Sequence, residues 1–381
     1  AMLAEIAKGH KLVAVAGTHG KTTTTAMLAA IFERAGLDPT VLVGGIPTGA
    51  VSNARAGGSE WFVSEADESD HSFLELTPSI AIVTNIENDH IASDAELPRL
   101  LASFETFAAN TQRGGTIAIG TDNPCSADLA RRLRSTAWTP VVDATPDPHP
   151  APTGVATFAV HGPADITVRD VAYADLASHF TVIEHGTALG EIALHVPGEM
   201  NVANALAAVA AARAAGIPVA PIAAALEAFR GVGRRFEIVA REPFTVVDDY
   251  AHHPTAIAQT IAAARTAAHG RPLIVAFQPH RYTRTAYLKD DFARALQGAD
   301  RVYLTPVYAA SEAPIPGVDE RSIGEPLAAA GTPVTYVAQV EELAERFPRE
   351  TPDGALLLML GAGSISQVAH ALGERLDAAL A

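Results

Sequence analysis

The sequence predicts an α/β protein: a P-loop, doubly wound central domain with an antiparallel β excursion, followed by a Rossmann-like C-terminal domain. Three observations predict it. Short apolar runs bounded by glycine or polar residues alternate with helically spaced segments, the pattern of a parallel sheet with helical crossovers. Alternating apolar and polar positions interrupt that pattern between Val155 and Val196. The pattern restarts past Gly231, and 381 residues suit two or three domains at roughly 150 residues each.

Lys11–Ala16 reads as the first buried strand, bounded by Gly17. Met27, Leu28, Ile31 and Phe32 share one face of the following helix, and Gly36 stops it. Trp61–Ser64 and Ile80–Thr84 read as further strands, and the proline-rich ATPDPHPAPT after Asp143 reads as a loop. Asp165–Arg169 and Glu191–His195 alternate, which predicts the antiparallel excursion. An alanine-rich helix is expected from about Asn201 to Ala215, closed by Gly216. The domain boundary is expected near residues 222–232, dividing the chain into 1–225 and 226–381. Beyond it, Thr245–Asp249, Leu273–Phe277, Val302–Thr305, Val334–Val337 and Ala355–Leu360 are the strand candidates.

Composition narrows the function. Forty-three acidic against 27 basic residues leave a net charge of −16, which argues against a general nucleic-acid or anionic-membrane surface while allowing a local phosphate pocket. No uncharged apolar run reaches the 18 or so residues a membrane span needs, and no secretory pattern opens the chain. The lone Cys125 excludes an intrachain disulfide or a cysteine metal site. A soluble, multi-domain protein of a reducing compartment is what remains, expected in the cytoplasm and as a monomer or weak dimer.

Directly after the first strand come Gly17, Thr18, His19, Gly20, Lys21 and Thr22, then Thr23. Small residues let the backbone wrap a phosphate, and the next helix offers free N–H groups and a positive dipole end. Lys21 would place a point charge at the β- and γ-phosphates of ATP, and the Thr22 hydroxyl would ligate Mg²⁺. The strict phosphate-loop pattern fails at Val15, where its first glycine belongs. The local alternative is a plain strand-to-helix turn, but strand, loop and helix fall in the required order. After the second strand, Ser64–Asp70 places Glu65 nearest the sheet as a metal ligand. Asp67, Glu68 and Asp70 are expected to be solvated loop carboxylates. Thr84–His90 follows the third strand. There His90 could hold a second Mg²⁺ or touch the γ-phosphate, although alone it reads as a structural loop histidine.

Taken together, GTHGKTTTT, EADESDHSFLEL, TNIENDH, PGEMNVANA, GVGRRFE, VDDYAHHPT, FQPHRYTRT and GAGSI resemble the Mur ligase family, the ATP-dependent amino-acid ligases of peptidoglycan precursor synthesis. The similarity runs in the family's order over nearly the whole chain. It implies that Lys21 and Thr22 are the phosphate-loop lysine and the metal-binding hydroxyl, and that Glu65 and His90 are metal ligands. It places Asn201 and Asn204 near adenine, where the residues alone read as a helix N-cap and first-turn pair. It implies that Arg235 reaches the ATP phosphates, while Arg234 stays a surface charge. Asp249 matches a position that holds the ribose hydroxyls, with Tyr250, His252 and His253 on the same loop. His280, Arg281 and Arg284 match the amino-acid and acyl-phosphate end, where paired arginines suit a carboxylate.

The match has departures. Met200 stands where the family usually has histidine, and Ser364 replaces an Asp or Asn. The family's N-terminal UDP-binding domain has no counterpart here, which is expected to reflect a shortened chain. Several relatives hold the second Mg²⁺ with a carbamylated lysine, yet no lysine lies between Lys21 and Lys289. That leaves the alanine-adding chemistry in front. The implied reaction joins L-alanine to the lactyl carboxylate of UDP-N-acetylmuramate through an acyl phosphate, with Lys21, Glu65, His90 and Arg235 as the catalytic set. A histidine, His90 or one of His252 and His253, would take the proton from the amine. The alternatives are a related ligase with a peptide-recycling or folylpolyglutamate-like acceptor, or an inactive nucleotide-binding module.

Overall fold

The computed structural model describes residues 2–87, 97–135 and 154–380. They form two compact units. The first runs to Val232 apart from residues 174–176, which group with Gly233 onward in the second.

The first unit opens with α1 (Met2–Ala7), β1 (Lys11–Ala16), α2 (Lys21–Arg34), β2 (Thr40–Leu42), β3 (Ala54–Arg55), β4 (Trp61–Glu65) and β5 (Ile80–Val83). It continues through α3 (Leu97–Ala109), β6 (Thr116–Gly120), α4 (Pro124–Ser135), β7 (Gly154–Phe158), β8 (Ile166–Ala174), β9 (Ala177–Glu184), β10 (Thr187–Leu194), α5 (Glu199–Ala214) and α6 (Val219–Ala228). Ten strands lie in the order β10-β9-β8-β7-β6-β5-β1-β4-β2-β3. β1 pairs in parallel with β4 on one side and β5 on the other. Past the exposed Lys11 it is buried on both faces, and so apolar from Leu12 to Ala16. Its alternate residues feed two cores. Val13 and Val15 pack in one core with Met27, Leu28, Ile31 and Phe32 of α2, as the helical spacing predicts. Leu12, Ala14 and Ala16 pack in the other with Phe73, Phe104 and Phe107. In α5 the alanines from Ala205 to Ala212 are buried, their small side chains letting the helix lie close to α2 and the sheet.

The expected excursion is corrected in one respect. β7 runs parallel to β6, Thr116 opposite Gly154 through Gly120 opposite Phe158, and so belongs to the parallel sheet. β9 and β10 pair antiparallel as expected and extend the same sheet. The units part after Val232, at the end of the expected 222–232 span, whereas the 225/226 division falls inside α6, which packs on β10 and α2.

Asp165 ties three elements of this sheet edge. One oxygen accepts the Thr157 N–H at 2.7 Å and hydroxyl at 3.0 Å, and also the Arg134 guanidinium. Burial pushes its carboxyl up, but the Thr157 donors and the Arg134 charge outweigh it and hold the group below the usual range. The stabilisation is therefore complete above the ordinary carboxylate range and lost as pH falls through the depressed value. Asp165→Asn is expected to cost about 1 kcal/mol at neutral pH and to remove that acid-side slope, measured by urea unfolding from acid to neutral pH.

The second unit contains β11 (Glu237–Ala240), β12 (Thr245–Asp249), α7 (Pro254–Ala268), β13 (Leu273–Phe277), α8 (Tyr282–Leu296) and β14 (Arg301–Leu304). α9 (Arg321–Ala329), β15 (Val334–Tyr336), α10 (Leu343–Glu350), β16 (Leu356–Leu360) and α11 (Ile365–Leu380) complete it. Its six strands lie in the order β11-β12-β16-β13-β14-β15, all parallel except the antiparallel edge strand β11. β12, β13 and β16 end at Asp249, Phe277 and Leu360, so the segments carrying candidate residues leave from the same end of the sheet. Among the described residues, no helix is long and apolar enough to cross a membrane.

Candidate functional site

In the first unit, the loop between β1 and α2 is held open by glycine. Gly17 has φ +131° and Gly20, the residue before α2, has φ +85°. Both conformations disfavour a side chain. The segment after β5 braces this loop. Thr84 Oγ1 and Asn85 Nδ2 donate to the His19 carbonyl at 2.6 and 3.0 Å, and Asn85 Oδ1 accepts the His19 N–H at 2.9 Å. Thr18 Oγ1 accepts the Glu87 N–H at 2.8 Å, and His19 Nε2 lies 3.3 Å from Glu87 Oε2. The polar residues following a parallel strand therefore set the phosphate loop's shape.

Thr22 and Glu65 meet as expected: the Thr22 hydroxyl donates to Glu65 Oε2 at 2.9 Å, and the Gly44 N–H donates to the same oxygen at 2.9 Å. Both are hard oxygen donors, the set a magnesium ion selects, so the residues fit that ion. Thr23 is buried in the first turn of α2. Asn201 and Asn204 come from the start of α5 and are buried behind the loop. Asn204 Nδ2 donates to Asn201 Oδ1 at 3.1 Å, and Asn201 Nδ2 donates to the Pro197 carbonyl at 2.7 Å. A Cβ on Gly20 would lie 2.1 Å from Asn204 Oδ1, so this asparagine packs directly against the loop.

Glu68 departs from expectation. It is buried, 3% exposed, rather than solvated, and both its oxygens accept from Lys21 Nζ at 3.0 and 2.8 Å. Burial pushes its carboxyl up, opposed by the Lys21 charge. Lys21 also donates to the Gly17 carbonyl at 2.7 Å. His90 and the proline-rich loop lie outside the described residues.

In the second unit, Asp249 is 5% exposed and both of its oxygens are engaged by backbone, accepting Phe236 N–H and Ala251 N–H, each at 2.7 Å. Burial pushes its carboxyl up, against the Arg235 charge and those two bonds. Both Arg234 and Arg235 lie over Tyr250, 4.7 and 4.9 Å from the ring centroid. Arg234 is therefore not the free surface charge expected: it also donates to the Gly361 carbonyl at 2.8 Å. His252 Nδ1 donates to the Tyr250 carbonyl at 2.9 Å, which puts its basic lone pair at Nε2. The His252 ring meets His280 edge-on at 5.8 Å, and His280 stacks on Tyr308 at 5.5 Å. Arg284, 8% exposed, donates to His280 Nδ1 at 3.3 Å. Arg281 precedes α8 with φ +71° and donates its backbone N–H to the Tyr308 carbonyl at 2.8 Å. His253 stands at the N-cap position of α7 and is buried. His252, His280 and Arg284 are thus brought together, whereas His253 and Arg281 stand at the residues preceding α7 and α8.

Comparison with known proteins identifies relatives along nearly the whole chain. Residues 15–212 match the Mur ligase middle domain and residues 234–363 match the Mur ligase, glutamate ligase domain. The UDP-N-acetylmuramate–L-alanine ligase of Acidithiobacillus ferrooxidans is 43% identical over 97% of this chain and 77% of its own length. The Xanthomonas oryzae protein of the same name is 41% identical over 97% of this chain and 76% of its own length. The crystal structure of the UDP-N-acetylmuramate-alanine ligase from Thermotoga maritima superposes with a TM-score of 0.79 at 30% identity, covering 98% of this chain and 77% of that one. The chain belongs to the Mur ligase family.

Proposed function

We propose that this chain is an ATP-dependent ligase that joins L-alanine to the lactyl carboxylate of UDP-N-acetylmuramate in peptidoglycan precursor synthesis. The observation that carries the reading is the 43% identity, over nearly all of this chain, to a relative bearing that activity's name. The convergence of Lys21, Thr22 and Glu65 at one loop supports it chemically.

A lactyl carboxylate oxygen attacks the γ-phosphorus of ATP, and ADP leaves. The alanine amine then attacks the acyl carbon, and the tetrahedral adduct expels inorganic phosphate. Lys21 and Arg235 are assigned to the phosphoryl oxygens, where negative charge concentrates in both steps. Thr22 and Glu65 would hold Mg²⁺, which supplies charge neutralisation at the phosphates when bound. His90 is assigned to a second Mg²⁺ or to the γ-phosphate. Asn201, Asn204 and Asp249 are assigned to the nucleoside side, Asn204 packing directly against Gly20 of the loop. His280, Arg281 and Arg284 are assigned to the amino-acid carboxylate and the acyl phosphate. The amine proton goes to a histidine; His252, with its lone pair at Nε2, suits the role.

The test is calorimetric Mg-ATP binding followed by ADP release. Release that requires both UDP-N-acetylmuramate and L-alanine, and not a tripeptide, is the expected result. Release only with tripeptide would assign a different acceptor, and no ATP binding would overturn the reading. Turnover should cease with a chelator. Glu65→Gln should raise the Mg²⁺ concentration for half-maximal rate by about tenfold or more, read from a magnesium titration.

A further inference from the structure

Lys21 Nζ is engaged on every side within the fold. An ammonium has three protons, and Nζ has three close acceptors: the Gly17 carbonyl at 2.7 Å and the two oxygens of Glu68 at 3.0 and 2.8 Å. The Thr18 carbonyl lies further off, at 3.4 Å. The two side chains are 11% and 2% exposed, so water screens the pair little. Glu68 reaches Lys21 from the turn after β4. That turn is shaped by Asp67 Oδ1 accepting the Ser69 N–H at 3.1 Å and by the His71 N–H donating back to the Glu68 carbonyl at 3.2 Å. A buried ion pair is a poor source of stability compared with apolar packing, because both ions lose hydration. Its position on the phosphate-loop lysine therefore calls for a functional account.

We propose that Glu68 is a latch on Lys21: its carboxylate holds the ammonium that a terminal phosphate needs, and ATP binds by displacing it. The inference rests on reading Lys21 as the phosphate lysine. Glu68 is then a positioning residue that acts through Lys21. The latch opposes nucleotides whose phosphates reach Lys21 and leaves those that stop short unaffected. Glu68 thereby weakens ATP binding relative to AMP. It also keeps the lysine folded against the loop whenever the site lacks a nucleotide.

The experiment compares Mg-ATP, Mg-ADP and AMP by calorimetry on the full chain. Glu68→Gln, which keeps shape and removes charge, should bind ATP about tenfold tighter, the scale of one lost charge competitor, with AMP affinity changed less than twofold. Unchanged or weaker ATP binding overturns the latch. So does an equal gain for AMP and ATP, the mark of a general loosening of the loop. Glu68→Asp, whose shorter arm reaches Lys21 poorly, should show a smaller gain in the same order and serves if Glu68→Gln does not fold. Lys21→Ala in the Glu68→Gln background separates the two readings. If it binds ATP as well as Glu68→Gln alone, the assignment of Lys21 to phosphate fails. If it binds far more weakly while Glu68→Gln matches the unaltered chain, only the latch fails.

Discussion

Lys21→Ala is expected to lower kcat/KM for ATP by about 10³-fold, the scale of losing a single preorganised charge at a phosphoryl-transfer centre. The same change should also lower stability, because it takes the Lys21 ammonium away from a Glu68 carboxylate that is only 3% exposed. Breaking one side of a buried pair costs about 3–5 kcal/mol. The two effects can be separated. Glu68→Gln added to Lys21→Ala removes the buried charge, so unfolding free energy should recover most of the loss while kcat/KM stays about 10³-fold down. Urea unfolding and ADP release on the single and double variants measure this. A double variant that regains turnover would show that Lys21 is not required for the chemistry. One that regains no stability would show that the loss came from packing rather than from the buried carboxylate.

Gly17→Ala should unfold or severely weaken the first unit, by about 3–5 kcal/mol, and abolish nucleotide binding. At φ +131° a side chain is strained from the start, and the new Cβ would sit 2.0 Å from Thr84 Oγ1 and 2.9 Å from the Thr84 backbone nitrogen. Neither atom can yield cheaply. Thr84 N donates to the Ala16 carbonyl at 3.0 Å and Thr84 Oγ1 to the His19 carbonyl at 2.6 Å, so moving Thr84 detaches the end of β5 from the phosphate loop. Gly36→Ala is the matched control. It also has positive φ, +75°, but nothing lies within 4 Å of its added Cβ, and it should cost only about 1 kcal/mol. Denaturation curves of the two variants, with ATP titrations beside them, test whether the crowding at Thr84 is decisive. Equal losses would place the effect in the backbone conformation alone.

What was legible in the sequence was local. The apolar run of β1, the face of α2 and the order strand, glycine-bearing loop, lysine and threonine all follow from residues close in the chain, and the structure realises them within a residue or two. The glycine stops at Gly36 and Gly216 are equally local, each at positive φ just past its helix. The Thr22–Glu65 contact was also within reach, because two adjacent parallel strands deliver their following residues to one edge. β2, β3 and β11 were not legible: they are short and peripheral, so their pairing comes from neighbours distant in the chain.

Glu68 and Arg234 show the limit most clearly. In the sequence, Asp67, Glu68 and Asp70 are equivalent acidic loop residues, and nothing in their spacing distinguishes the one that turns inward. Only the fold brings Lys21 and Glu68 within 2.8 Å, and only that contact compensates for burying a carboxylate. Likewise Arg234 reads as half of a charged pair until the Tyr250 ring and the Gly361 carbonyl receive it. The sequence by itself determined the α/β class, the phosphate loop and the chemical types of the site residues, because these depend on periodicity and short-range backbone demands. The tertiary structure alone decided which charges are buried and what each one faces, because burial is set by the whole packed chain and not by the neighbours of a residue in sequence.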